Sequence, residues 1–198
     1  LPYDTMLCNA LVERTNQINN GGLSVSVSLI TTSDRGSDAW ALPEPNFDYK
    51  PHYYGRFSDT TLPELVRLGI KSGEHVIDQA RLVGTTAYDI YHIQWTPIVT
   101  VDWIVLRLLR LTTPVVLTVH NVLPHESTTF DTISRKFLYH SVDHLIVHTD
   151  RSKERLVKQF GVSKDNISII PHGNFNYMNR FDVDIDLLPQ KVRELSER

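Results

Sequence analysis

From Thr113 to Glu126 the chain reads TPVVLTVHNVLPHE, a near-continuous apolar run that stops at a cluster of polar, chemically capable side chains. Val115, Val116, Leu117 and Val119 are mostly β-branched, which predicts a parallel strand covered on both faces by helices. Parallel strands need long crossovers, usually helical, so this run commits the chain to an α/β architecture. His120 and Asn121 stand at its carboxyl end, and open sheets of this kind bind ligands in the crevice outside the carboxyl ends of their strands.

The rest of the chain alternates in the same way. Pro2 to Ile18 reads as a helix with Leu7, Leu11 and Ile18 on one face, stopped by Asn19-Asn20-Gly21-Gly22. Leu23 to Ile30, LSVSVSLI, alternates strictly and reads as a strand. Asp34 to Thr61 is aromatic, contains prolines and has no clear period; such stretches inside a compact domain are usually functional or mobile. Glu64 to Leu82 holds one helix, or two short ones around Gly69 and Gly73. Later units are more regular. Asp89 to Gln94 is a strand followed by Trp95 and a Thr96-Pro97 helix start, and Ser127 to Tyr139 is a helix. His144 to His148 is a strand, with Thr149-Asp150 capping a helix to Phe160 that Gly161 ends. Ile167 to Ile170 closes with Pro171-His172-Gly173-Asn174, and the tail from Leu187 is an exposed helix or a linker.

Composition narrows the function. At 198 residues, with 41% hydrophobic and 22% charged residues, the chain can build an ordinary core and is no disordered segment. A net charge of -3, with no Lys/Arg run, gives no electrostatic pull toward nucleic acid. The single cysteine, Cys8, excludes an internal disulfide and fits a reducing, cytoplasmic setting as a small apolar filler. No signal peptide opens the chain, and no segment is long and apolar enough to span a bilayer. The nearest, Thr96 to Leu111, is broken by Asp102, Arg107 and Arg110. Its Trp103, Ile104, Leu108 and Leu111 with two arginines resemble an interfacial helix, although packing on the sheet is the plainer expectation.

Four strand exits carry Gln94-Trp95, His120-Asn121, Thr149-Asp150 and His172-Gly173-Asn174, all expected on one edge of one sheet. Amides, imidazoles and backbone N–H groups at helix starts suit a polar ligand rich in hydroxyl or phosphate groups. The nine histidines invite a metal reading, and His140, His144 and His148 recur every fourth residue. Two of these fall in a predicted strand, where helical proximity does not apply, and no carboxylate or cysteine set completes a ligand group; no metal is expected. HNVLPH lacks the HExxH order, and no GxGxxG, GxxxxGK[ST] or GxSxG occurs.

Taken in order, DIYHIQW, PVVLTVHNVLPHE, HLIVHTDRSKERLVKQFGV and ISIIPHGNF closely resemble the N-terminal half of the family 4 retaining glycosyltransferases of GT-B architecture. The likeness is strong over residues 85 to 178 and weak over residues 1 to 33. It implies a Rossmann-like three-layer α/β/α domain with a mostly parallel sheet over 1 to 178, one half of a two-domain enzyme. Residues 179 to 198 would lead to a second, donor-binding domain. In the family, the first domain mostly holds the acceptor and the second holds a nucleotide-diphosphate sugar. A hexose is transferred with retention, commonly during polysaccharide, glycolipid or natural-product assembly at the cytoplasmic side, with no cofactor beyond the sugar nucleotide.

Carried over by position, the resemblance makes His120 the cleft histidine that orients the donor sugar, with Asn121 beside it. His172, Gly173 and Asn174 match the segment where the chain approaches the cleft. Gln94 and Trp95 match a stretch that is commonly His-Trp in relatives, so Gln94 departs from the pattern. Thr149 belongs to the same rim; His125 and Glu126 cap the following helix. Relatives also begin with a strand and a Gly-containing loop, whereas this chain starts inside the first helix, and they continue into a second domain with phosphate-binding cations and paired glutamates. This chain alone is therefore not expected to turn over substrate. The rival expectation is a non-catalytic glycan-binding module or a partner subunit of a split glycosyltransferase; a flavodoxin-like cofactor protein would need a phosphate loop after a first strand. The aromatic stretch with Trp40, Phe47, Tyr49, Tyr53, Tyr54 and Phe57 is the candidate acceptor surface or, equally, a loop anchored by its aromatics.

Overall fold

The computed structural model describes residues 2–18, 25–32, 46–55, 62–84, 88–124 and 126–172. In chain order these form α1 (Pro2–Ile18), β1 (Ser28–Thr32), β2 (Asp48–Tyr53), α2 (Glu64–Val83), β3 (Tyr91–Ile93) and α3 (Val99–Leu109). There follow β4 (Val115–Thr118), α4 (Thr129–His140), β5 (His144–Val147), α5 (Asp150–Phe160), a 3-10 turn at Lys164–Asn166 and β6 (Ile167–Ile169).

The strands β3, β4, β5 and β6 form one sheet in that order, parallel throughout, and β1 pairs with β2 in a second parallel sheet. One helix sits in each crossover of the larger sheet, as a parallel α/β fold requires. Its core face carries Tyr91, Val115, Leu117, Leu145, Val147 and Ile167, packed by Leu106 and Leu109 of α3, Leu138 and Tyr139 of α4, and Leu156 and Phe160 of α5. Full burial of each such side chain contributes about 1.5–3 kcal/mol. Ile30 of β1 packs against the same cluster. The expected Rossmann-like α/β architecture is the one observed.

The other face of the larger sheet is mixed rather than covered by a described helix, with polar pairs set around Val116 and Ile146. His92 meets the Thr118 hydroxyl at 2.8 Å, and His144 meets Ser168 at 2.8 Å. At the amino edge Asp143 pins the register: its carboxylate accepts from the Val115 N–H at 2.9 Å and the Arg110 guanidinium at 2.8 Å.

Several elements differ from the sequence expectation. Among the described residues the alternating run pairs over Ser28–Thr32 with β2, which lies inside the stretch read as aperiodic; Leu23 and Ser24 lie outside the described residues. DYKPHY carries Pro51 and is mostly exposed, so it shows no alternation. Glu64–Val83 is a single helix through both glycines. The helix after the His120 loop is capped by Thr128 with Asp131 in a reciprocal capping box, not by Glu126; His125 lies outside the described residues. The tail from Leu187 and residues 179–198 also lie outside them.

Candidate functional site

Register brings the site together. Leu117 pairs with Leu145 and Thr118 with Ile146, and pairing continues through the Val119 N–H to the Ile146 carbonyl at 2.8 Å. With a period of two, His120 comes level with His148 on the same face. From the next strand, the Ile170 N–H bonds the Val147 carbonyl at 2.8 Å, and His172 follows two residues on.

Three imidazoles and an indole result. The His120 ring stacks on Trp95 with centroids 4.4 Å apart and planes 10° from parallel. Trp95 is 61% exposed, and its side chain hydrogen-bonds the buried carboxyl of Asp4 from α1. Burial raises the Asp4 pKa. His148 Nδ1 lies 2.8 Å from the Ile170 carbonyl, which can only accept, so Nδ1 carries a proton. In the neutral ring, Nε2 of His148 then presents a lone pair to Nδ1 of His120, 3.2 Å away. His172 stands edge-on to His148, with centroids at 4.9 Å. Burial first, then the neighbouring His148, His172 and His92, push the His120 pKa down to about 4. His120 is therefore a neutral ring at ordinary pH, able to hydrogen-bond hydroxyl or phosphate oxygens without adding a charge.

Beside it opens a cavity of about 340 Å³, walled by His120 and Asn121 on one side and by Ser152, Arg151 and Arg155 of α5 on the other. Tyr139 Oη donates to the Val122 carbonyl at 2.6 Å and fixes the loop between them. The α5 N-terminus and two guanidiniums make this wall suited to an anionic group.

The structure thus joins Trp95, His120, Asn121 and His172 at one edge. Gln94 instead turns to His92, Nε2 to Nε2 at 3.0 Å. The Thr149 hydroxyl is occupied as the α5 cap, accepting from the Ser152 N–H at 3.1 Å. Gly173 and Asn174 lie outside the described residues. Sequence reasoning missed His148, Asp4, Arg151 and Arg155. The signal for His148 was present: LTVH and LIVH are the same pattern in neighbouring strands, one histidine closing each.

The candidate acceptor aromatics Tyr53 and Tyr54 act as anchors. Their rings stack on buried His75 at centroid distances of 5.8 and 5.9 Å. Tyr54 Oη lies 3.1 Å from His75 Nδ1, and His75 Nε2 lies 2.7 Å from Asp102. Asp102 in turn accepts from the Ile98 N–H at 3.0 Å, tying α2 to the start of α3. Trp40 and Phe57 lie outside the described residues.

A known family accounts for this combination of fold and strand-end motifs: the profile of the Glycosyltransferase Family 4 matches residues 26–173. The chain belongs to glycosyltransferase family 4. A solved structure similar to this glycosyltransferase domain is the UDP-GlcNAc 2-epimerase from Methanocaldococcus jannaschii, at 16% sequence identity and a TM-score of 0.49. That alignment covers 83% of this chain and 42% of the epimerase chain, so the domain spans less than half of that protein's length. No curated protein matches it.

Proposed function

We propose that the chain is the acceptor-side domain of a retaining glycosyltransferase. It would work with a donor-binding domain or partner chain to move a hexose from a nucleotide-diphosphate sugar to a glycan, glycolipid or small-molecule acceptor. The observation that carries this reading is His120: a neutral imidazole held flat on Trp95 at the carboxyl edge of the sheet, beside a cavity with a cationic wall. In the transfer, the bond from the anomeric carbon to the leaving phosphate breaks and a bond to the acceptor oxygen forms on the same face. The acceptor proton passes to the leaving phosphate. His120 positions the sugar, Trp95 holds the His120 ring, and the transfer itself requires no metal. His120→Ala in the complete enzyme is expected to lower turnover by about two orders of magnitude or more with the fold intact, as loss of transition-state positioning does. Unchanged turnover would remove His120 from the site. Tight binding of a nucleotide sugar by this domain alone would place the donor site here rather than on a second wall.

A peripheral membrane contact belongs to the same proposal, at the inner, cytoplasmic face. The helix α3 buries Val105, Leu106 and Leu109 against the sheet, yet leaves Ile104 and Leu108 exposed, and Leu111 in the turn just after it is 78% exposed. Alongside, α4 exposes Phe130, Ile133 and Phe137, and Trp103 stacks on Phe137 at 5.4 Å. Exposed Arg107 of α3 and Lys136 of α4 stand beside them, with Arg110 just after α3 ion-paired to Asp143, so an apolar stripe with basic neighbours faces outward. That composition fits the headgroup region of an anionic bilayer. Among the described residues no helix is long and apolar enough to cross a membrane.

A further inference from the structure

We infer that His120, His148 and His172 form a three-ligand site for a divalent transition-metal ion of the zinc class. This goes beyond the glycosyl-transfer reading and does not rest on it. One ring nitrogen from each histidine lies within 4.8 Å of the other two. Two ligand nitrogens at zinc bond lengths and tetrahedral angles stand about 3.3–3.4 Å apart. The nitrogens of His120 and His148 already stand at 3.2 Å.

The outer contact of His148 is that of a metal ligand. The non-facing nitrogen of His148 donates to a backbone carbonyl, Ile170, which fixes the ring and directs its Nε2 lone pair inward. Stacking on Trp95 fixes the His120 plane in the same way. His172 is the exposed member of the three. Three imidazoles and no carboxylate favour zinc, cobalt or nickel over magnesium or calcium, which prefer oxygen. Three protein ligands leave a fourth position for water or another ligand.

Linear spacing concealed this site. His140 and His144 are engaged elsewhere, with the Phe160 carbonyl at 3.0 Å and with Ser168 at 2.8 Å. Only strand register joins His148 to His120.

The test is calorimetric titration of the chelator-stripped protein with zinc, repeated with cobalt under visible spectroscopy. The expected result is one saturable site with a dissociation constant below about 1 μM, and intense visible bands of tetrahedral cobalt. His172→Ala, at the exposed position, should weaken zinc at least about tenfold, and His148→Gln should do the same. No saturable site below about 100 μM, or affinity unchanged in both variants, overturns the assignment and leaves a hydrogen-bonded imidazole cluster. Because the readout is binding, it stands or falls separately from turnover.

Discussion

His120 owes its character to neighbours from four parts of the chain. Trp95 sets its plane, Asp4 holds Trp95, and His148 and His172 help to keep it neutral. Loss of Trp95 should therefore act through the histidine: Trp95→Ala is expected to reduce turnover of the complete enzyme about ten- to hundredfold, less than His120→Ala, measured as initial rates under saturating donor. A second residue can be checked without any substrate. Burial, with a smaller contribution from Asp4, raises the Cys8 thiol to about 11 from 9.0, so near pH 8 it holds about a hundredfold less thiolate than an open cysteine. Iodoacetamide should label the folded protein slowly and the urea-unfolded protein fast. Rapid labelling of the folded state would place Cys8 outside the α1 interface. Trp95, His120 and His172 were legible one by one, as polar letters after apolar runs. His148 was not, because its role depends on which strand lies beside it.

At the scale of elements, the same substitution should have opposite signs at two glycines. Gly73 lies within α2, and a β-carbon there would meet nothing within 4 Å. Gly73→Ala should therefore stabilise by about 0.5–1 kcal/mol through reduced chain entropy. Gly161 also has open space, but it ends α5 at φ 69°, where a side chain is strained. Gly161→Ala should destabilise by about 1 kcal/mol. Paired urea titrations of the two variants check both signs. The α5 caps could be read from Thr149 and Gly161 because capping is local chemistry. The strand β2 was unreadable for the converse reason: it pairs as an edge with β1, and its Pro51 and exposed side chains carry no burial pattern. The course of α2 depends on buried polar residues: His75, Asp78 and Gln79 find partners on other elements, and Glu74 finds one on α2 itself. Lys71 approaches Glu74 at 3.5 Å, while Asp78 accepts from the Tyr54 N–H at 3.1 Å.

The described residues present a polar strand-end edge and, apart from it, an apolar α3–α4 face. If the second is a membrane contact, a Leu111→Ser/Phe130→Ser variant should bind anionic phosphatidylserine vesicles at least about tenfold more weakly. The pair is 78% and 65% exposed, so the fold should persist. Equal vesicle binding would return that face to other partners. The alternation of strand and helix was readable because buried parallel strands leave long β-branched runs. The gathering of three histidines was not, since it requires the strand order and register as well as the strands.

Asp143 fastens the sheet at the opposite end from the chemistry, joining the last turn after α3, the first residue of β4 and the approach to β5. Alignment is thereby anchored where the strands begin, in addition to the backbone bonds at their endings. Loops after β3, β4 and β5 could be exchanged for those of another family member with little risk of slippage, which makes this edge a natural place for loop grafting.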